Sequence, residues 1–270
     1  MGGVAMIADK IVEENVYPTI SMYLKDVLNK IQYNNWMLVG SAGKKNISGD
    51  IDLAFDTDLS IQEVSSILET LGIEHKVGLG FKQIWTKFDQ YNARLDKIDK
   101  TVQIDLIFGN VKWLSFAYHS PISLATKYTA HHAKVLTAAI IRYAKNEQLP
   151  DGGIRTYVIN WDSGIYHKSR YSYISKRGKN KGQIKEKQIK SKYPICTSPE
   201  CVAKLLTEEL KVTWTVDDLK NTFEYIWKKT CKSFDDETLI KIVDYVTTAL
   251  NKRNGYDVPK ELIKFSTSKT

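Results

Sequence analysis

The stretch MLVGSAGKKNISGDIDLAF, residues 37–55, constrains this chain more than any other. A short apolar run, Trp36 to Val39, ends in Gly40-Ser41 and reads as a strand entering a tight turn. Gly49 punctuates the sequence before a second strand, Asp50 to Phe55. Side chains alternate across a strand, so Asp50 and Asp52 project to one side while Ile51 and Leu53 project to the other. Two carboxylates so placed repel by roughly 2–3 kcal/mol at about 6.5 Å and an effective dielectric near 20. A strand that also buries apolar neighbours does not favour that arrangement without a compensating cation. A third acid, Asp105, sits between Ile104 and Leu106 in the apolar run TVQIDLIFG, where a plain core strand carries none.

Hard oxygen ligands in a small cluster suit Mg²⁺ or Mn²⁺. Three carboxylates on neighbouring strands suit phosphoryl chemistry with two ions, one activating a hydroxyl and the other holding a triphosphate. The Gly40-Ser41 turn is suited to the triphosphate. Glycine lets the backbone approach a phosphate, and the serine amide and hydroxyl can donate to it. Lys44 and Lys45, in the same loop, either add positive charge there or belong to a solvated loop. An Asp-x-Asp pair alone is weak, because solvated loops carry such pairs. The upstream Gly-Ser and the later isolated Asp raise it to a metal-site candidate.

On these residues the chain resembles the DNA polymerase beta-like nucleotidyltransferase superfamily. The signature of that family is an apolar residue, Gly-Gly or Gly-Ser, a spacer, and Asp-x-Asp in a strand. Here that is Val39-Gly40-Ser41, a spacer of eight residues, and Asp50-Ile51-Asp52-Leu53, with Asp105 matching the third carboxylate. The resemblance covers roughly residues 36–108; Gly49 stands where many members have Ser. It implies that Asp50, Asp52 and Asp105 are metal ligands and catalytic, and that Gly40 and Ser41 bind phosphate. Asp50 and Asp52 would serve both ions, and Asp105 the one that activates the acceptor. Members also draw nucleotide contacts from a helix after the catalytic sheet, which makes Lys127 and Tyr128 candidates against the simpler reading of a solvated helix face. The overall layout also looks like nucleotidyltransferases carried by bacteriophages, which would put the chain in the host cytoplasm.

The fold class expected is α+β, a small mixed sheet with flanking helices, followed by a small helical C-terminal domain. The first thirty residues have helical spacing, kinked or divided at Pro18; residues 60–71 form a helix stopped by Gly72. Strands are expected from Ile73 to Phe88, then a polar loop over residues 89–100. Ser120-Pro121 looks like the start of a long helix reaching about Gln148. Runs from Ile154 to Trp161 and from Ile165 to Ser175 flank a turn and read as a β-hairpin. Residues 1–175 are therefore expected to be the catalytic domain with its following helix and hairpin, 176–193 a basic linker, and 194–270 the helical domain.

Charge is concentrated. Between Tyr166 and Tyr193 stand ten lysines and arginines against Glu186 alone, so this segment holds +9 and the rest of the +8 chain is −1. Its first half mixes aromatics with cations, a combination that tracks phosphates while stacking bases. Lys168, Arg170, Tyr171, Tyr173, Lys176 and Arg177 are thus candidate nucleic-acid contacts; the bland alternative is a hairpin packed on the core before a solvated linker. His131-His132 point about 100° apart on a helix and do not make a metal pair. Cys196, Cys201 and Cys231 lack zinc-like spacing and are expected to be reduced thiols in a cytoplasmic protein. No apolar run reaches the roughly 18 residues of a membrane span, and no secretory signal is visible. The reading is an enzyme that moves a nucleoside monophosphate from an NTP to a hydroxyl, with an RNA 3′ end the favoured acceptor. A protein side chain, a small molecule or a second nucleotide stays open as acceptor. From another class, a non-catalytic nucleic-acid-binding factor stays open as well.

Overall fold

A computed structural model describes residues 5–78, 82–120, 128–176, 183–253 and 256–269. Its contacts divide the chain into two compact units, Met1–Leu124 and Ala125–Thr270, ahead of the break expected after residue 175.

In the first unit, β1 (Ile11–Val12) leads directly into α1 (Glu13–Asp26), and a 3₁₀ turn at Leu28–Lys30 precedes β2 (Asn35–Val39). Then follow β3 (Ile47–Ser48), β4 (Asp50–Asp56), α2 (Ile61–Thr70), β5 (His75–Gly78), β6 (Gln83–Tyr91), β7 (Lys97–Phe108) and α3 (Val111–Ala117). The main sheet has the order β2-β4-β7-β6-β5, with β4 and β7 parallel and every other neighbour antiparallel. This mixed sheet flanked by helices is the α+β class read from the sequence. The strands alternate as expected: Ile51, Leu53 and Phe55 of β4 and Val102, Ile104, Leu106 and Phe108 of β7 are buried with Val16, Ile20 and Tyr23 of α1 and Val64 and Leu68 of α2. Ser60 caps α2 in a reciprocal box with Glu63, and Gly72 ends it at φ +68°.

Two expectations change here. The amino-terminal helix starts only at Glu13, because Ile11 and Val12 pair with Ser48 and Ile47, and it carries Pro18 within it. The polar segment 89–100 is mostly strand, since β6 and β7 extend as a hairpin to the pair Tyr91↔Lys97, and only Asn92 to Asp96 turn. Past Tyr91 the hairpin is mostly exposed, which suits its polar residues, while Gln90 is buried and donates to the Lys10 and Thr101 carbonyls.

The second unit holds α4 (Ala130–Ala144), β8 (Glu147–Gln148), β9 (Ile154–Asn160), β10 (Gly164–Ile174) and β11 (Ile184–Lys190). After these come α5 (Pro199–Leu210), α6 (Val216–Leu219), α7 (Phe223–Ser233), α8 (Asp236–Asn251) and α9 (Lys260–Lys269). Its sheet has the order β11-β10-β9-β8, all antiparallel, so the helices after residue 194 share their unit with a sheet. The hairpin stands as read, in β9 and β10. The basic segment does not behave as a linker where it is described: Ile184–Lys190 is a strand paired along β10 from Ile174↔Ile184 to Lys168↔Lys190. Lysines suit such an edge strand, because their charge discourages pairing with another chain.

Helix α4 begins at Ala130 behind the cap Thr129, nine residues beyond the cap expected at Ser120; Pro121 and Lys127 lie outside the described residues. After Thr215 the chain forms two helices rather than one, α6 and α7, because Thr222 opens a new cap. Cys196 and Cys201 are joined in a disulfide and only Cys231 is free, which corrects the expectation of three reduced thiols. Cys196 enters an isolated bridge with Ile165, and Ser198 turns the chain into α5, which brings the two sulfurs together across the cap. No helix among the described residues is long and apolar enough to cross a membrane.

Candidate metal centre

The parallel register of β4 and β7 sets Asp52 directly opposite Asp105 and Asp50 opposite Gln103. All four side chains fall on the sheet face opposite Ile51, Leu53 and Ile104, which face the α1–α2 core. One carboxylate oxygen from each of Asp50, Asp52 and Asp105 lies within 4.8 Å of the other two. Sequence positions more than fifty apart are thus brought to one point by a strand pairing.

The local geometry is demanding. Gly40 ends β2 at φ +69°, a left-handed conformation, and a Cβ added there would lie 2.0 Å from Oδ2 of Asp52. Glycine is therefore needed twice, for the turn and for the carboxylate beside it. The Gly40 amide donates to the Tyr118 carbonyl at 2.9 Å, which ties the turn to the segment after α3. Ser41 is half-buried in the same turn. Lys44 donates through Nζ to the carbonyls of Gly40 at 3.2 Å and Ser120 at 3.3 Å, so it braces the loop, whereas Lys45 is exposed.

Electrostatics set the cluster apart from an ordinary strand surface. Burial, followed by the charge of Asp52 and that of Asp50, pushes the Asp105 carboxyl up to about 8, although hydrogen bonds from Gln103 and Trp85 draw it back. Burial also raises Asp50 above the ordinary carboxylate range. Three acids with only oxygen donors, close together and with Asp50 and Asp105 both raised, have the chemistry of a site for a hard divalent cation. On both donor type and spacing, Mg²⁺ or Mn²⁺ fits. In the second unit His132 is buried, its Nδ1 beside the Thr129 hydroxyl and its Nε2 beside the Asp257 carbonyl.

Sequence reasoning missed the residues that orient Asp105. The Gln103 side-chain carbonyl accepts from the Met6 amide at 2.9 Å, which turns its NH₂ group toward Asp105 Oδ1 at 2.8 Å. Trp85 stands directly opposite Asp105 on β6, and its ring packs over Gly78, where a Cβ would come within 2.6 Å. The signal for Gln103 was present, since a residue two before Asp105 in a strand shares its face.

The remaining candidates lie in the second unit or outside the described residues. Tyr128 donates to Glu261 and accepts from the Lys260 amide at 3.1 Å, so its hydroxyl fastens α9; burial, then Glu261, pushes it up to about 12. Lys168 and Arg170 share one face of β10, Tyr171 and Tyr173 the other. Tyr171 packs over Gly153. Lys176 is exposed beyond the end of β10, and Arg177 lies outside the described residues.

No family model matches the chain, and no curated protein does. Among solved structures it is similar to Leishmania infantum polymerase beta in a ternary P/T complex, at 14% identity and a TM-score of 0.38 over 58% of each chain. It is similar also to the same polymerase in a ternary gap complex, at 16% identity and a TM-score of 0.39 over 58% of this chain and 51% of that one. The chain spans about half to three fifths of the length of these polymerases.

Proposed function

We propose that this chain is a metal-dependent nucleotidyltransferase that moves a nucleoside monophosphate from an NTP to a hydroxyl on a nucleic acid, with an RNA 3′ end as the favoured acceptor. One observation carries the reading: three carboxylates from two parallel strands, with oxygens within 4.8 Å, beside a glycine turn that approaches one of them too closely for any side chain. Divalent ions held by Asp50, Asp52 and Asp105 would lower the pKa of the attacking hydroxyl and neutralise charge on the departing pyrophosphate.

The chain's own residues divide the work of this reaction. Gln103 and Trp85 hold Asp105 in one orientation, so the acceptor meets a fixed acid. The Gly40-Ser41 turn offers backbone and hydroxyl donors to the triphosphate, and Lys44 keeps that turn closed by bridging Gly40 and Ser120. In the transfer, the acceptor oxygen bonds to the α-phosphorus and its proton passes to solvent. The bond to the bridging oxygen breaks, and pyrophosphate leaves with the electron pair.

The test is label transfer from α-labelled NTPs to RNA, DNA and protein fractions, with Asp52→Asn and Asp105→Asn as comparisons. The parent should label nucleic acid. Each variant should lose about a thousandfold or more, since the charge stabilisation removed is several kcal/mol. Unchanged transfer in the double variant, with circular dichroism confirming its fold, refutes the assignment.

A further inference from the structure

The second unit carries a pocket that the transfer chemistry does not use. It lies where β9 turns into β10, has a volume of about 580 Å³, and is lined by Asn160, Trp161, Asp162, Lys168, Gln188 and Lys190 among others. Lys168 and Lys190 are directly opposite across the β10–β11 pair. Like charges in that relation destabilise a sheet, and none of the ion pairs among the described residues involves either lysine. Lys190 instead holds its ammonium 3.5 Å from the centre of the Tyr166 ring, and Lys134 of α4 stands 5.5 Å from the Trp161 ring. Arg170 continues the same cationic face opposite Gln188.

Edge protection explains part of this charge but not the pocket. Lys185 and Lys187 sit on the edge strand β11, where lysines keep other chains away. Lys168 is on β10, an inner strand, beside an aromatic ring and two side-chain amides. Cations around a half-buried aromatic ring, with amides for base edges, have the chemistry that suits phosphates alternating with planar bases. A duplex keeps its bases stacked and presents no free planar face to such a pocket.

We propose that this face of the second unit binds single-stranded nucleic acid, with a base against Trp161 and the adjoining phosphates on Lys168 and Lys190. Its purpose, holding an acceptor strand, rests on the nucleotidyl-transfer reading; the binding itself does not.

The experiment is fluorescence anisotropy of labelled RNA and DNA strands of about twelve nucleotides, and of the matching duplexes, with the full chain between about 50 and about 200 mM salt. The parent should prefer single strands, and the RNA and DNA arms identify which. Lys168→Gln/Lys190→Gln should weaken binding about tenfold and flatten the log–log salt slope by about 1.4, or about 0.7 for each lost phosphate contact. Trp161→Leu should weaken it about tenfold with the slope kept, and Trp161→Phe should retain most of the affinity, because stacking is not a charge effect. Duplex preference, no binding by the parent, or an unchanged slope in the lysine variant overturns the proposal. Binding without transfer by the parent sinks the catalytic reading alone. Transfer to the strand, with its binding unchanged in the lysine and Trp161→Leu variants, sinks the strand site alone.

Discussion

Two buried acids, one in each unit, sit in opposite electrostatic states. Asp218 is 6% exposed, and burial alone would raise it, yet hydrogen bonds from Lys229, Tyr225 and Thr215 together bring it down to about 2. Lys229 reaches it at 2.7 Å, Tyr225 at 2.8 Å and the Thr215 amide at 2.7 Å. Asp105 is equally buried, but its nearest charges are Asp52 and Asp50, and it is pushed up to about 8. Asp218 has what a structural carboxylate requires: a cation and a full set of donors. Asp105 has the donors of Gln103 and Trp85, and its charged neighbours are acids rather than a lysine. On the proposed reading, that is the difference between an acid kept for folding and one kept for a bound cation.

The sharpest way to break this comparison acts through Gly40. Gly40→Ala forces a side chain toward Asp52 Oδ2, 2.0 Å from the new Cβ, in a backbone conformation that favours glycine. A displacement of about 1 Å at a reacting centre costs on the order of a hundredfold in rate. Label transfer by Gly40→Ala should fall by about that factor, while the circular dichroism of the sheet is kept. Full activity would mean that the Gly40 turn and Asp52 do not work together.

A second measurement sets the two acids side by side. Asp218→Asn leaves Lys229, itself only 21% exposed, without its partner. It should lower unfolding free energy in urea by about 2 kcal/mol, less than a fully buried pair because water still reaches the lysine. Asp105→Asn should change stability by no more than about 0.5 kcal/mol in metal-free buffer at neutral pH, since burial and Asp52 already favour its uncharged form. Millimolar Mg²⁺ should then raise the melting temperature of the parent and not that of Asp105→Asn, because only an intact site gains by binding. Equal losses for both variants would erase the distinction.

How much of this was legible beforehand follows from what each signal depends on. Asp50, Asp52 and Asp105 stood out because each interrupts an apolar strand, and the period of two put the first pair on one face. The glycine at position 40 was readable as a turn, but its collision with Asp52 depends on the antiparallel register Val39↔Asp52, which no local pattern states. Gln103 was hidden because its role needs the Met6 amide, 97 residues away. Strand β11 was hidden for a different reason: IKEKQIK lies at an edge, exposed on both faces, so burial imposed no alternation of apolar and polar residues. The disulfide needed the bridge from Ile165 to Cys196, again a long-range pairing. Local chemistry and the β9–β10 hairpin were legible; the long-range contacts of Gly40, Gln103 and Cys196 were not.

The smallest effect, and the finest check, is the response of Asp218 to acid. Its folded value of about 2 lies below the ordinary 3.8, so the group binds its proton more readily when the chain is unfolded. The stability it contributes is therefore complete above about pH 4 and is lost as the pH falls toward 2. Other carboxylates also destabilise the chain in acid, so the useful quantity is a difference. Between about pH 5 and about pH 2, the parent should lose on the order of 1–2 kcal/mol more than Asp218→Asn does, measured by urea unfolding at each pH. Parallel losses in the two proteins would mean that Lys229 and Tyr225 do not hold a charged Asp218, and the contrast with Asp105 would then rest on geometry alone.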